Sequence, residues 1–409
     1  MLMFKRLLVL VYTSTGKDTT VVFLGTLINV LVGGMFFVFV PRFLGPTDYG
    51  LLSTVIATAL MVTSIANFGI DSGILRFAKT DPTVIPLAFK TYSVLGFTAA
   101  LIGFFLAPHL AKFLNHPQIS QLLQIGFFGT ILLLLSNFFT ASLQAKSEFL
   151  KASIVGIASN TARLTILLVG MVFFKVDLYF LTALFFAVPI VSVIVGLIYL
   201  PIKFQKSQNT KDFFKYNFWI ASALIVSSIP FDNYFLLKLS GPLQTGLYFA
   251  PFKVLTFVYQ FAGNFSRVLS SRFSSFDTNQ KTIEFAKKSL IFPSIASLGL
   301  VFLILIAGSV VNVIFGPAYA NSVSIMRILS LGFIFFFIST VPSSIILYYF
   351  GKSNISFMIT AVKYLLFISL LSVLIPDLKA LGAALAFSFS ELMSLIFMSA
   401  YCLVKLQKK

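Results

Sequence analysis

The stretch LGPTDYG at 44–50 closes the first long apolar run of this chain, and SGP at 240–242, followed by Gly246 and Tyr248, closes the seventh. Pro46 and Pro242 lie 196 residues apart in a chain of 409. Lys146-Ser147 returns as Lys352-Ser353 at an offset of 206, and Asp177-Leu178 returns as Asp377-Leu378 at an offset of 200. Three short echoes, in the same order and at nearly one offset, predict two copies of a single unit.

Composition places that unit in a membrane. Hydrophobic residues make up 58% of the chain and charged residues 10%, and the mean hydropathy is +0.99. A single soluble core does not hide that much apolar surface. A membrane-crossing helix needs roughly 20 mostly apolar residues, and twelve such runs can be drawn between 19 and 404. The expected fold is therefore an all-α integral membrane protein of about twelve helices in two pseudo-two-fold related six-helix lobes around a central cavity. The lobes are expected at 1–200 and 214–409, with 201–213 as a cytoplasmic linker. Asp71, Arg76 and Lys79 interrupt the apolar pattern at 66–90, which predicts a short amphipathic segment at the inner surface. The first run is too long, and lacks the small-residue site, for a cleaved signal peptide.

Basic residues set the expected orientation. With the N-terminus inside, 21 of the 30 Lys and Arg fall on inner segments and 5 on outer ones. This bias puts both termini in the cytoplasm. It also accounts for the net charge of +18 through anionic inner-leaflet lipid, so no nucleic-acid partner is invoked. Cys402 is the single cysteine and His109 and His116 are the two histidines, so neither a disulfide nor a metal site is expected, and no cofactor.

Charges inside a bilayer are costly and face a bundle interior or a water-filled cavity. Here they are Arg163, Asp232, Lys253, Arg327, Lys363 and Glu391, a net excess of two positive charges that suits an anionic substrate. Arg163 or Lys363 can instead pair with Glu391 and simply fix packing. Lys253 follows Pro251 by two residues, and Asp232 follows Pro230 by two. A mid-helix proline frees a carbonyl and kinks the span, which is tolerated where backbone lines a cavity. These two Pro-x-charge triplets on adjacent spans are the leading substrate-binding candidates. Asp232 is also the candidate for loading a coupling ion, H+ or Na+. Asn29 and Asn67 either line the same cavity or bond helix to helix.

Several motifs carry a resemblance. PRFLGPTDYG at 41–50, QAKSEF at 144–149, FGPAYA at 315–320 with RILSL at 327–331, and LGAALA at 381–386 resemble the Wzx-type polysaccharide flippases. These belong to the multidrug/oligosaccharidyl-lipid/polysaccharide exporter superfamily. The resemblance runs over nearly the whole chain in order. It implies alternating access in a bacterial cytoplasmic membrane and movement of an undecaprenyl-pyrophosphate-linked oligosaccharide from the inner to the outer leaflet. It implies a cavity lined mainly by helices one, two, seven and eight, which carry Lys253 and Asp232. Arg42 and Arg76 sit where that family often carries basic residues, and they join the list as phosphate contacts. A polysaccharide polymerase complex is an implied partner.

Three other readings compete. A multidrug exporter of organic cations calls for an acidic cavity, against the positive interior here. A lipid II flippase usually carries two further C-terminal helices, whereas this chain is expected to end after twelve. A membrane glycosyltransferase or polymerase needs acidic catalytic groups on a sizeable outer loop. The outer acids are Asp48, Asp177 and Asp377, each in a short turn, so no enzyme is expected.

Overall fold

A computed structural model describes residues 14–173, 176–203, 205 and 210–407. The N-terminal segment expected in the cytoplasm, part of the 201–213 linker and the last two residues lie outside that description. The chain is all helical over the described residues. Its helices are α1 (Ser14–Asn67), α2 (Ile70–Phe77), α3 (Val84–Phe113), α4 (Ser120–Ala145), α5 (Phe149–Phe173), α6 (Leu178–Ala187) and α7 (Pro189–Tyr199). They continue with α8 (Thr210–Ser228), α9 (Phe231–Leu255), α10 (Phe257–Phe273), α11 (Asn279–Ser289), α12 (Ile291–Phe315), α13 (Ser322–Ser344) and α14 (Ser353–Gln407). Eight continuous helical stretches among the described residues are long and apolar enough to cross a membrane.

The twelve apolar runs reappear once the interruptions are placed. Helix α1 is broken at Gly45 (φ 74°, ψ 169°), α9 at Gly241 (φ 79°, ψ 176°) and α14 at Lys379 (φ 53°, ψ −130°). Gly45 and Gly241 each precede a proline. The proline ring bars the preceding residue from the α region, and a positive φ with an extended ψ is open essentially to glycine alone. A Gly-Pro pair therefore forces the chain to turn back. Gly316-Pro317 does the same after α12, with φ 88° and ψ 177° at Gly316. The Asp-Leu echoes also mark turns: Asp177 caps α6 by accepting from the Phe180 N–H at 2.7 Å, and Asp377 sits two residues before the Lys379 break.

Packing sorts the residues into two compact units that do not follow the two sequence halves. One unit takes residues up to Phe36 and Leu52–Pro230; the other takes Phe37–Leu51 and Phe231–Lys409. Helix α8 thus belongs with α2, through edge-on contacts of Phe77 with Phe213 and Tyr216. In the first unit large rings are seated on glycines. A Cβ added to Gly103 would lie 2.5 Å from the Phe127 ring, one on Gly129 would lie 2.3 Å from Phe186, and one on Gly196 would lie 2.3 Å from Phe139. In a lipid solvent, where apolar surface alone does not drive helices together, such ring-on-glycine contacts supply the packing.

In the second unit the two Gly-Pro turns meet. Gly50 follows Gly45 by five residues and Gly246 follows Gly241 by five, so each lies on the first turn and a half after its hairpin. A Cβ on Gly50 would lie 1.9 Å from the carbonyl oxygen of Pro242, and one on Gly246 would lie 1.8 Å from that of Pro46. The contact is reciprocal: each hairpin sets its glycine against the other's proline carbonyl. The Arg42 guanidinium donates to the Val313 carbonyl at 2.8 Å, and the Tyr319 hydroxyl donates to the Pro41 carbonyl at 3.1 Å. Both tie the first hairpin to the end of α12 and the turn after it.

Candidate functional site: an aromatic-floored cation on α9

Asp232 and Lys253 lie on the two arms of α9, on either side of the Gly241 turn. Pro230 ends a two-residue break after α8, so Asp232 falls in the first turn of α9. Its Oδ1 accepts from the Asn233 N–H at 2.9 Å, and its Oδ2 accepts from the Tyr248 hydroxyl at 3.2 Å. Tyr248 is fully buried and stacks on Phe252, with centroids 5.4 Å apart and planes 19° from parallel. Phe252 in turn meets Phe333 of α13 and Phe387 of α14. The Lys253 ammonium lies 5.6 Å from the centroid of Phe37, a range at which ring and cation attract.

Lys253 acts electrostatically on Asp232 but is not in ion-pair contact with it. The ion pairs among the described residues are Lys151–Glu148 and Lys363–Glu391. Lys253 is thus a cation set beside the Phe37 ring, with the nearby carboxylate already occupied by a tyrosine and a backbone N–H. Such a group can donate to a phosphate oxygen without first breaking a salt bridge.

The other sequence candidates fall into separate clusters. Arg163, 5% exposed, donates to Asn160 Oδ1 at 2.8 Å and to the Phe185 carbonyl at 3.1 Å, and lies 4.2 Å from the centroid of the Phe185 ring. Asn160 donates to Asn29 Oδ1 at 2.7 Å, so Asn29 and Arg163 form one chain of bonds between α1, α5 and α6. Asn67 donates to Asp71 Oδ2 at 2.7 Å. Arg76 lies over Tyr216, 4.6 Å from the centroid. Arg327 donates to the Ile304 carbonyl at 3.2 Å. Arg42, as described above, bonds the end of α12.

Sequence reading did not single out Tyr248, Phe37 or Asp71. The last accepts from Tyr92 at 2.6 Å as well as from Asn67. The signal for Asp71 was present in the Phe68-Gly69 pair, which adopts positive φ of 49° and 71° and delivers the carboxylate to the start of α2.

Lys363 pairs with Glu391 at 3.0 Å, from one arm of α14 to the other. Glu391 is 6% exposed and Lys363 19%. Glu391→Gln removes the anion and leaves the ammonium partly buried alone, which costs about 3 kcal/mol. Thermal unfolding in detergent should show a clear loss for Glu391→Gln and for Lys363→Met, and recovery in the double variant. Equal losses that simply add would sink this account.

Eight helical stretches long and apolar enough to cross a membrane define a multi-pass membrane protein. The chain belongs to the polysaccharide biosynthesis protein family, whose pattern matches residues 39–324. It is 22% identical over 389 residues to a Shigella flexneri protein named "Putative O-antigen transporter", covering 88% of this chain and 91% of that one. The fold is shared with the inward-closed lipid II flippase MurJ, at a TM-score of 0.75 and 16% identity over 94% of this chain and 87% of that one. It is also shared with an inward-facing multidrug resistance MATE transporter of the MOP superfamily, at a TM-score of 0.73 and 12% identity over 93% and 94% of the two chains. The relatives are named as transporters and a flippase, and the chain is a multi-helix membrane protein of the polysaccharide biosynthesis family.

Proposed function

We propose that the chain moves an undecaprenyl-pyrophosphate-linked oligosaccharide from the inner to the outer leaflet of the bacterial cytoplasmic membrane, by alternating access, with both termini in the cytoplasm. The observation that carries this reading is the Lys253 ammonium beside the Phe37 ring, with no ion pair among the described residues. A pyrophosphate cannot enter hydrocarbon without replacing its hydration, and a partly desolvated ammonium supplies charge-assisted hydrogen bonds. The aromatic rings beside it offer faces to a sugar, while the polyprenyl tail stays in lipid. An inside-negative potential favours outward movement of the anion by about 2.3 kcal/mol per charge per 100 mV. Asp232 is the proposed coupling group for H+ or Na+, because its hydrogen-bonded carboxylate lies within electrostatic reach of Lys253. A polysaccharide polymerase would receive the product on the outer side.

The test is a strain lacking the chain, in which the lipid-linked sugar on each leaflet is followed. Accumulation on the inner leaflet, reversed by the wild-type protein, supports the proposal. Unchanged lipid-linked sugar together with altered sensitivity to cationic drugs would move the chain to the exporter branch of the superfamily.

A further inference from the structure

We infer that a second anion site, unconnected with transported cargo, lies where α3, α4 and α7 end together in the first unit, and that it holds the phosphate of a membrane lipid. The residues after α7, with the ends of α4 and the start of α3, enclose a cavity of about 360 Å³. Lys146 and Lys203 line it, Gln205 and Tyr199 complete its polar part, and Ile85 and Leu200 are among its apolar walls. No carboxylate lines it among the described residues. Of the two acids adjoining the lining in sequence, Asp81 is bonded to Thr83, and Glu148 is paired with Lys151 at 2.6 Å, which itself sits over the Tyr199 ring. Lys146 and Lys203 form no ion pair among the described residues, so the lining carries two lysines and, among the described residues, no carboxylate.

Three prolines, Pro82, Pro86 and Pro201, supply much of the wall and bring no N–H donors. Nor does the start of α3 supply the recognition, because Asp81 already accepts from the Thr83 N–H at 3.0 Å and from the Thr83 hydroxyl. Recognition therefore falls to the two lysines and the Gln205 amide, with apolar surface directly beside them. This pairing of cations with apolar wall, at the ends of membrane-crossing helices, matches a lipid headgroup with its glycerol and upper acyl chain. A free phosphate would leave the apolar wall unused. Basic pockets between helix ends are how membrane proteins hold anionic headgroups.

The site is independent of Lys253, so it stands or falls separately from the proposed cargo. The test uses the full chain in zwitterionic detergent, with native mass spectrometry of retained phosphatidylglycerol against phosphatidylcholine. Wild type should retain phosphatidylglycerol at least fivefold better. Lys146→Gln with Lys203→Gln should bring that ratio near one with an unchanged melting temperature, whereas Lys146→Arg with Lys203→Arg should keep it. Millimolar glycerol phosphate should not displace the lipid. An unchanged ratio in the glutamine pair overturns the site, and full displacement by glycerol phosphate overturns its assignment to lipid.

Discussion

Gly246→Ala is expected to cost at least about 3 kcal/mol, the upper end of ordinary overpacking, although it adds a single methyl group. That methyl would lie 1.8 Å from the Pro46 carbonyl oxygen, and the obstacle is backbone rather than a side chain that can swing aside. The helix carrying Pro46 is held by the Gly45 turn and by the Arg42 and Tyr319 bonds, so relief requires moving a whole hairpin. Gly50→Ala should behave alike, because its Cβ would lie 1.9 Å from the Pro242 oxygen. Once one substitution has parted the hairpins the second finds room, so the double variant should cost much less than the two losses together. Gly308→Ala is the control: nothing lies within 4 Å of its Cβ, and alanine favours a helix over glycine by up to about 1 kcal/mol. Melting of the purified variants in detergent reads all four. A Gly246→Ala protein as stable as Gly308→Ala would show that the hairpins are not in this contact.

Lys253→Met should separate activity from stability. Removing a charge-assisted bond to a phosphate costs about 1.5–3 kcal/mol, which corresponds to roughly a 10- to 150-fold loss at 1.4 kcal/mol per factor of ten. Export of the lipid-linked sugar should fall by that much. The folded state should not suffer, because Lys253 has no ion-pair partner and methionine fills a similar volume among Phe37 and its neighbours. Replacing a buried, unpaired ion by an apolar isostere is neutral or stabilising. The melting temperature should therefore hold or rise while transport is lost. Lys253→Arg, which keeps the charge, should retain part of the activity. If Lys253→Met exports normally, the cation is structural and the cargo finds its charge elsewhere.

The apolar runs and the Gly-Pro turns were legible in the sequence because both are local. A run of twenty apolar residues and a proline after glycine need no distant partner to have their effect. The break at Ile229–Pro230 was half visible, since Pro230 announced a kink but not a full interruption of the helix. Sequence reading offered Arg163 or Lys363 as the partner of Glu391 but could not choose between them. Lys363 and Glu391 are 28 residues apart and meet because α14 folds back at Lys379, a residue with no glycine or proline signature at its own position. Asp71 read as a charge breaking an apolar pattern at the inner surface. Its acceptance from Tyr92, 21 residues on, and from Asn67 makes it a half-buried, satisfied carboxylate instead. The Pro-x-charge triplets pointed to α9, but the Tyr248 hydroxyl and the Phe37 ring that shape the surroundings of Asp232 and Lys253 come from other positions in the chain.

The reciprocal hairpin contact also sets a timetable for biogenesis. Gly50 is synthesised 196 residues before Gly246, its counterpart across the contact. At about 5–20 residues per second of synthesis, the first hairpin waits roughly 10–40 s in the membrane with its seat unfilled. Residues 37–51 pack with the second unit although they are made with the first. A ribosome that stalls midway therefore leaves more than a truncated chain: it leaves a kinked first helix whose receiving hairpin has not yet been made.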